Sequence, residues 1–364
     1  MLISLGEQGA KWKGKIEEEN GIIVVKNPME PLSNNARREI HLKEIIRIRD
    51  NGKDIIFRRP YNLVVDNNEN IYFLSYPHLF KYDKDGNLVF KVMRTGQGPG
   101  EADSRMNFTI INDEVAVRAI SPLKVMIFGL NGVLKEEIKL ESFRRFKFIG
   151  SFEDKIYAIN QEVSWELGGK TGYVDFPNSI YEFSLDFQEH KKICTFPVKF
   201  YFDRSAWFEQ AFLEFAIKDF KNLFVVHTSK YKIVRFNLKS KKIDEVITRE
   251  FGRTKRPKIK KKPGFRYGPD RDYYQDVQKL LILEDNLWAI TSEKNEENDW
   301  LIDVYDRDGK YVDNFFLCFP DDIEPKRYQS IQLIAWKNFL FSVDQDKEGY
   351  YSIAKYRIPE LFDN

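Results

Sequence analysis

The sequence predicts an all-β protein, a six-bladed β-propeller with four antiparallel strands in each blade. Three features of the sequence indicate this fold: six copies of a short aromatic strand segment, a second strand signature before each copy, and an N-terminal segment able to complete the last blade. A chain of 364 residues with 42% hydrophobic and 15% aromatic residues can bury a large core. Radial repetition of small sheets leaves only short, protected edges.

The first feature is an apolar residue, two intervening residues, an aromatic residue and usually a turn signal three or four places later. The aromatic residues follow one another at intervals of 46, 55, 53, 69 and 51 residues, a period typical of propeller blades. They are Tyr82, Phe128, Phe183, Phe236, Tyr305 and Tyr356.

The second feature is a strand signature that lies about ten residues before most of these aromatics. A polar turn and a short apolar run precede it, and a further strand often follows the aromatic segment, which gives four strands per repeat. The pairs Asp85-Gly86, Asn131-Gly132 and Asp308-Gly309 predict tight two-residue hairpins with positive φ at both residues. The second-strand segments are 70–74, 114–118, 155–159, 222–226, 286–290 and 338–343.

The third feature concerns ring closure. The last repeat shows three strands before the chain ends, whereas residues 40–52 alternate apolar and polar residues and end in a turn before the first repeat. We expect residues 40–49 to complete the sixth blade beside the C-terminal strand. Residues 21–28 predict a further strand or arm. The expected domain spans residues 21–364, and residues 1–20 are expected to be mobile.

The stretch "RTGQGPGE" (94–101) lies between two strand-like runs. A phosphate-binding glycine loop requires a helix after it, and here a strand follows, so the nucleotide-binding interpretation is rejected. The stretch is predicted to be a structural corner from the rim of blade 1 to the axis of blade 2, with a small anion-binding concavity as an alternative. Its key residues are Gly96, Gly98, Pro99, Gly100 and Glu101, whose carboxylate can accept hydrogen bonds from loop N–H groups.

Together with "VVDNNENIYFLSYPHLFKYDKDGNLV" (64–89) and "VVKNPMEPL" (24–32), this corner resembles the bacterial six-bladed propellers related to NHL repeats. The close match covers residues 60–101, and Ala102 departs from the aromatic residue usual after the Glu. The resemblance implies a six-bladed propeller, often exported with a signal or lipid anchor. It therefore implies a periplasmic, cell-envelope or secreted location. The N-terminus of this sequence lacks the charged opening and apolar core of a secretion signal.

Long loops are predicted on one face of the propeller, at residues 161–179, 197–215, 251–276 and 292–300. They combine aromatic residues with arginines, a composition typical of recognition surfaces, although the aromatics could instead pack the loops against the rim. Two histidines adjoin the same face. The candidate ligand-binding residues are Trp165, Tyr173, Tyr201, Arg204, Trp207, Arg253, Arg266, Tyr267, Arg271, His78 and His227.

Charge argues against nucleic acid as the partner. The run 253–266 has eight Lys or Arg in fourteen residues, but acidic clusters flank it and the net charge of the chain is only +2. We interpret the run as a solvated loop. A peptide, glycan or protein partner is expected, with no membrane-spanning segment and a monomer favoured.

Signals for catalysis are scarce. The four histidines have no metal-ligand spacing, and no nucleophile motif is present, so no catalytic residue, metal ligand or cofactor is predicted. Asp203, Glu209 and Glu214 could form a carboxylate pair. The alternative to a binding protein is a propeller lyase or hydrolase acting on sugars or lactones with a divalent metal on the axis. Cys194 and Cys318 are expected to be free thiols in different repeats.

Overall fold

The computed structural model describes residues 11–49, 56–103, 106–142, 146–162, 171–203, 206–219, 221–258, 260, 267–320 and 332–359, with residues 206 and 207 described by their backbone alone. All regular structure in these ranges is β-strand, and the strands form six separate sheets. The predicted six-bladed β-propeller is confirmed. These ranges include no helix with the length and apolar character needed to cross a membrane.

Four strands precede the first blade, and the next eight form blades 1 and 2, each running in chain order from the axis to the rim. The preceding strands are β1 (Lys15–Glu19), β2 (Ile22–Asn27), β3 (Arg38–His41) and β4 (Lys43–Arg49). Blade 1 contains β5 (Tyr61–Val65), β6 (Ile71–Ser75), β7 (His78–Tyr82) and β8 (Leu88–Val92). Blade 2 contains β9 (Asn107–Ile111), β10 (Glu114–Ile120), β11 (Leu123–Gly129) and β12 (Leu134–Lys139).

Blades 3 to 6 repeat this order. Blade 3 contains β13 (Phe146–Phe152), β14 (Lys155–Gln161), β15 (Thr171–Ser184), β16 (His190–Asp203) and β17 (Ala206–Glu209). Blade 4 contains β18 (Glu214–Lys218), β19 (Asn222–Val226), β20 (Lys232–Asn237) and β21 (Lys242–Arg249). Blade 5 contains β22 (Val277–Leu283), β23 (Asn286–Lys294), β24 (Trp300–Tyr305) and β25 (Tyr311–Cys318), and blade 6 contains β26 (Leu333–Trp336), β27 (Phe339–Gln345) and β28 (Tyr351–Arg357).

The core lies between the blades. Six large apolar clusters each draw residues from two neighbouring blades, one cluster for every seam of the ring. The six repeated aromatics all lie on third strands, and none is more than 3% exposed. Burial of these rings between sheets explains why the repeat is visible in the sequence, because each blade needs a large apolar side chain at this position.

Residues 15–49, here called the rim segment, run along the outside of three consecutive blades. Strand β2 pairs in parallel with β21 of blade 4, β3 pairs in parallel with β25 of blade 5, and β4 pairs antiparallel with β28 of blade 6. The predicted closure of the ring by an N-terminal strand is confirmed. Residues 40 and 41, expected on blade 6, instead lie on blade 5, because the buried residue Leu42 separates β3 from β4.

The hairpin turns differ from the prediction. In the turn after β7, Gly86 has φ +85° whereas Asp85 is not among the residues with positive φ, so only one central residue is left-handed. The Asp83 carboxylate accepts hydrogen bonds from the N–H groups of Asp85 (3.0 Å) and Asn87 (2.8 Å). This side-chain cap stabilises a longer turn with the glycine at its end, in place of the two-residue hairpin.

The predicted long loops at 161–179 and 197–215 are largely strand. Strands β15 and β16 are 14 residues each, and β15 continues beyond its last partner on β14, at Asn178. The continuation (171–177, 197–203 and 206–209), here called the arm, has its own apolar cluster that includes Phe176, Phe200 and Phe202. Alternation of apolar and polar residues along β16 provides this buried face, which explains why the segment is not a loop.

Candidate functional site

The upper face of the propeller is the face at which the innermost strands of the blades begin. The connections between consecutive blades and the loops between second and third strands emerge there. The arm of blade 3 and the long connection from blade 4 to blade 5 (250–276) are its largest features.

The outward side of the arm carries an aromatic pair. Tyr173 lies opposite Tyr201 in the ladder, their ring centroids are 5.2 Å apart at an interplanar angle of 69°, and Tyr173 is 59% exposed. The other side of the arm is packed, with Phe176 0% exposed. The Tyr173–Tyr201 pair is thus an exposed aromatic surface on paired strands and not on a loop. The buried apolar side of the arm holds these strands in place.

The blade 4 to blade 5 connection is folded back on itself. The N–H of Arg256 donates to the carbonyl of Asp272 (2.8 Å), and the N–H of Tyr274 donates to the carbonyl of Thr254 (3.0 Å). Arg253 donates to the Asp276 carboxylate (2.8 Å) and lies 4.8 Å from the ring centroid of Tyr273. Arg253 therefore forms internal contacts of the connection.

The later part of the connection packs against the arm. A Cβ built on Gly268 would lie 2.6 Å from a ring atom of Phe208, so only a glycine fits against this ring. Arg271 donates to the carbonyl of Gln210 (3.1 Å), immediately after β17. Tyr267 is partly buried beside Gly268. The arm and the connection together form one wall of the upper face.

A charged funnel lies at the axial side of this wall. Glu214, at the start of β18, forms an ion pair with Lys279 of β22 (3.1 Å), and the Lys147 ammonium of β13 lies 5.1 Å from the ring centroid of Phe215. The charged side chains thus come from the innermost strands of blades 3, 4 and 5. Glu209, at the end of β17, faces the same group.

The surroundings of Glu209 and Lys147 shift the pKa values of both side chains. Burial raises the pKa of Glu209 to about 7, a shift that Arg271 opposes and Glu214 increases. Burial lowers the pKa of Lys147, which Glu214 opposes and Lys279 reinforces. Water nevertheless reaches both Glu209 and Lys147, which are exposed. Glu209 and Lys147 are therefore surface side chains whose charged forms are partly desolvated by neighbouring protein atoms.

The two candidate histidines are anchored to the backbone. His78 Nδ1 lies 2.8 Å from the carbonyl oxygen of Met93, and His227 Nδ1 lies 2.9 Å from that of Pro197. Burial lowers the pKa of both rings. His227 lies at the base of the arm, because Pro197 is the first residue of the arm on β16.

The corner at 94–101 is closed by its own glutamate. The Glu101 carboxylate accepts hydrogen bonds from the N–H of Gly98 (2.9 Å) and from Arg94 (2.5 Å). The Gly98 N–H contact and the Arg94 partner lower the pKa of this carboxyl. Gly96 has φ +149°, and a Cβ there would collide with the same carboxylate. Lys124 also donates to the carbonyl of Gly98 (2.9 Å), which joins the corner to blade 2.

Amide side chains at the upper ends of the inner strands join neighbouring blades. Asn62 of blade 1 accepts from the N–H of Phe108 (2.8 Å) and donates to its carbonyl (3.2 Å). Asn107 of blade 2 donates to the carbonyl of Phe146 (2.9 Å), and Gln275 accepts from the N–H of Phe212 (2.8 Å). These amides are positioned by inter-blade hydrogen bonds to the backbone.

Within the described ranges, one group of three His, Cys, Asp or Glu side chains brings its donor atoms within 4.8 Å of one another. It consists of Glu39, His41 and Cys318, on the rim strands β3 and β25. Sequence spacing could not find this group, because it depends on the parallel pairing of the rim segment with a strand about 280 residues later.

Three of the predicted site residues, Trp165, Arg204 and Arg266, lie outside the described residues, and Trp207 is described by its backbone alone. The structure brings Tyr173 and Tyr201 together on the arm. Tyr267 and Arg271 adjoin the arm, Arg253 lies within the connection, and His78 lies at blade 1.

No protein-family model and no curated protein matches the sequence. Among solved structures, a protein of Bacteroides fragilis NCTC 9343 described as exported is 14% identical, covers 88% of this chain and 100% of its own, and has a TM-score of 0.51. A member of the DUF4221 family from Bacteroides vulgatus ATCC 8482 is 9% identical, covers 89% of this chain and 99% of its own, and has a TM-score of 0.55. The shared feature is the propeller fold. The predicted resemblance to bacterial six-bladed propellers is confirmed at that level.

Sequence reasoning missed Lys147 and Lys279. Lys147 is the second residue of β13, and Lys279 is the third residue of β22. Both strands are the innermost strands of their blades. Once the blades are assigned, polar residues at these positions are candidates for the funnel. Of the three carboxylates considered from the sequence, Glu209 and Glu214 interact, whereas Asp203 pairs within the arm opposite Thr171.

Proposed function

We propose that this propeller is a non-enzymatic binding protein that takes a peptide, glycan or protein partner on its upper face. The observation that carries the proposal is the exposed Tyr173–Tyr201 pair on an arm whose opposite side is packed. Such a pair offers apolar contact area and hydroxyl groups on a preformed surface, so little conformational entropy is lost on binding.

The charges of the funnel favour a polar partner of mixed or low charge. Glu209 and Glu214 lie close to Lys147, Lys279 and Arg271, so the two signs alternate over a short distance. A polyanion requires a surface of one sign. Adjacent donors and acceptors instead suit the hydroxyl and amide groups of sugars and peptides.

The test is a glycan array and a peptide library probed with three proteins. These are the wild type, the double variant Tyr173→Ala, Tyr201→Ala, and the control Val133→Ala on a hairpin of the opposite face, where Val133 is 58% exposed. We expect at least about tenfold weaker binding for the double variant and unchanged binding for the control, because anchoring aromatics dominate binding energy. Absence of any ligand, or equal binding by all three proteins, contradicts the proposal.

A second candidate function rests on Glu209. A carboxyl with a pKa of about 7 can donate and accept a proton at neutral pH, as a lyase or hydrolase acting on sugars or lactones requires. The test is turnover of a lactone and glycoside panel with added divalent metals, comparing wild type with Glu209→Gln. Turnover that the variant loses supports an enzyme, and no turnover in the wild type contradicts it.

We also propose a location outside the cytoplasm. The exported neighbour from Bacteroides fragilis and the family resemblance of the corner both support it. Fractionation of cells that express the native gene with an epitope tag tests this directly. Recovery of the tagged protein in the cytoplasmic fraction alone contradicts it.

A further inference from the structure

We propose a zinc site on the rim of blade 5, formed by Glu39, His41 and Cys318 and unrelated to the binding function of the upper face. The three side chains lie on the last two strands of one sheet. Strand β3 contributes Glu39 and His41, and β25 contributes Cys318.

The pairing of the strands brings the donors together. In the parallel register, His41 lies opposite Cys318, and Glu39 lies two residues before His41 on the same side of β3. His41 Nε2 lies 3.4 Å from Glu39 Oε2, and all three donor atoms lie within 4.8 Å of one another. Separations of this size let one small ion contact all three atoms after minor side-chain adjustment.

The chemistry of the donors selects the metal. A thiolate, an imidazole and a carboxylate are the ligands that Zn²⁺ takes, whereas Mg²⁺ and Ca²⁺ require oxygen donors throughout. A water molecule can complete four-coordination. Glu39 and His41 are exposed, which gives the ion access from solvent.

A metal at this position would stabilise the attachment of the rim segment to blade 5. Strand β3 has only four residues and lies at the edge of its sheet, and the buried corner residue Leu42 joins it directly to β4, which closes the ring. A metal that links β3 to β25 would fix the rim segment to blade 5. Zinc binding should therefore raise the melting temperature of the whole propeller.

The test is a titration of the full chain, free of any affinity tag, with Co²⁺ as a spectroscopic probe and Zn²⁺ as competitor. We expect one Co²⁺ per chain, a near-ultraviolet thiolate-to-cobalt charge-transfer band, and a rise in melting temperature with Zn²⁺. Cys318→Ser should abolish the band, and His41→Ala should weaken binding about tenfold or more. Cys194→Ser, which removes the other thiol, serves as the matched control and should behave as wild type.

If Cys318→Ser fails to fold, His41→Ala keeps the test decisive, because His41 is an exposed side chain at the surface. Absence of the charge-transfer band in the wild type overturns the proposal. So does a band that persists in Cys318→Ser or one that disappears in Cys194→Ser.

Discussion

The seam between blades 1 and 2 and the seam between blades 4 and 5 are held together in different ways. At the first seam the chain crosses in 14 residues (93–106), and side chains donate to or accept from the backbone of the neighbouring blade. Lys81 donates to the carbonyl of Leu130 (2.8 Å), and Asn62 bonds to both backbone groups of Phe108. The short corner itself fixes the relative position of these blades.

At the second seam the chain crosses in 27 residues (250–276), and a buried ionic network joins the blades. Arg249 of blade 4 forms an ion pair with Asp303 of blade 5, and Asp303 is 0% exposed. The hydroxyls of Tyr231 and Tyr311 donate to the same carboxylate at 2.6 and 2.9 Å. A long connection does not by itself fix the relative position of two blades. At this seam the buried side chains of the ionic network fix it.

The blade 4–5 seam should be more sensitive than the blade 1–2 seam to the loss of one side chain. Asp303→Asn should lower the free energy of unfolding by about 3–5 kcal/mol, because the buried Arg249 guanidinium loses its counter-charge. Urea denaturation measures this change. Lys81→Met at the blade 1–2 seam is the control. It should lower the free energy of unfolding by about 1–3 kcal/mol, because the carbonyl of Leu130 loses this donor.

A double variant separates the unpaired charge from the other effects of the substitution. Arg249→Met combined with Asp303→Asn removes both charges, so it should recover part of the stability that Asp303→Asn loses. If Asp303→Asn lowers the free energy of unfolding no more than Lys81→Met does, the two seams are equally sensitive to the loss of one side chain.

The two seams also differ in how far the sequence predicts them. The corner at 94–101 can be interpreted from eight consecutive residues, and the aromatics such as Tyr82 and Phe128 repeat because every blade buries one. The Arg249–Asp303 pair joins residues 54 positions apart on different blades, which no local pattern records. The arm was missed because glycine, proline and aromatic residues around Tyr173 are typical of loops, although residues 198–202 alternate as a strand does.

The blade 1–2 seam should be sensitive to backbone change instead. Gly96→Ala should destabilise the protein by about 2–3 kcal/mol, because it combines an unfavourable positive φ with a collision against the Glu101 carboxylate. Gly172→Ala in the arm is the control, since Gly172 has φ +137° with no atom within 4 Å of the added Cβ. Its expected cost is about 1 kcal/mol. Equal costs would show that the glutamate contributes nothing to the corner.

The smallest expected effect is a pH dependence from the funnel beside blades 3, 4 and 5. The pKa of Glu209 is raised from 4.5 to about 7 on folding, so between these values the folded state retains a proton that the unfolded state has released. Stability contributed by this proton is present below about pH 4.5 and is lost as pH rises to about 7. Because water reaches the side chain and screens it, the loss should be less than about 1 kcal/mol.

Glu209→Gln removes this titration while preserving the shape of the side chain. Urea midpoints measured from pH 4 to pH 8 should therefore fall less steeply for the variant than for the wild type across this window. Parallel profiles would show that Glu209 titrates alike in the folded and unfolded chains. The funnel would then lack the neutral-pH carboxyl on which the second candidate function depends, whereas binding through the arm would be unaffected.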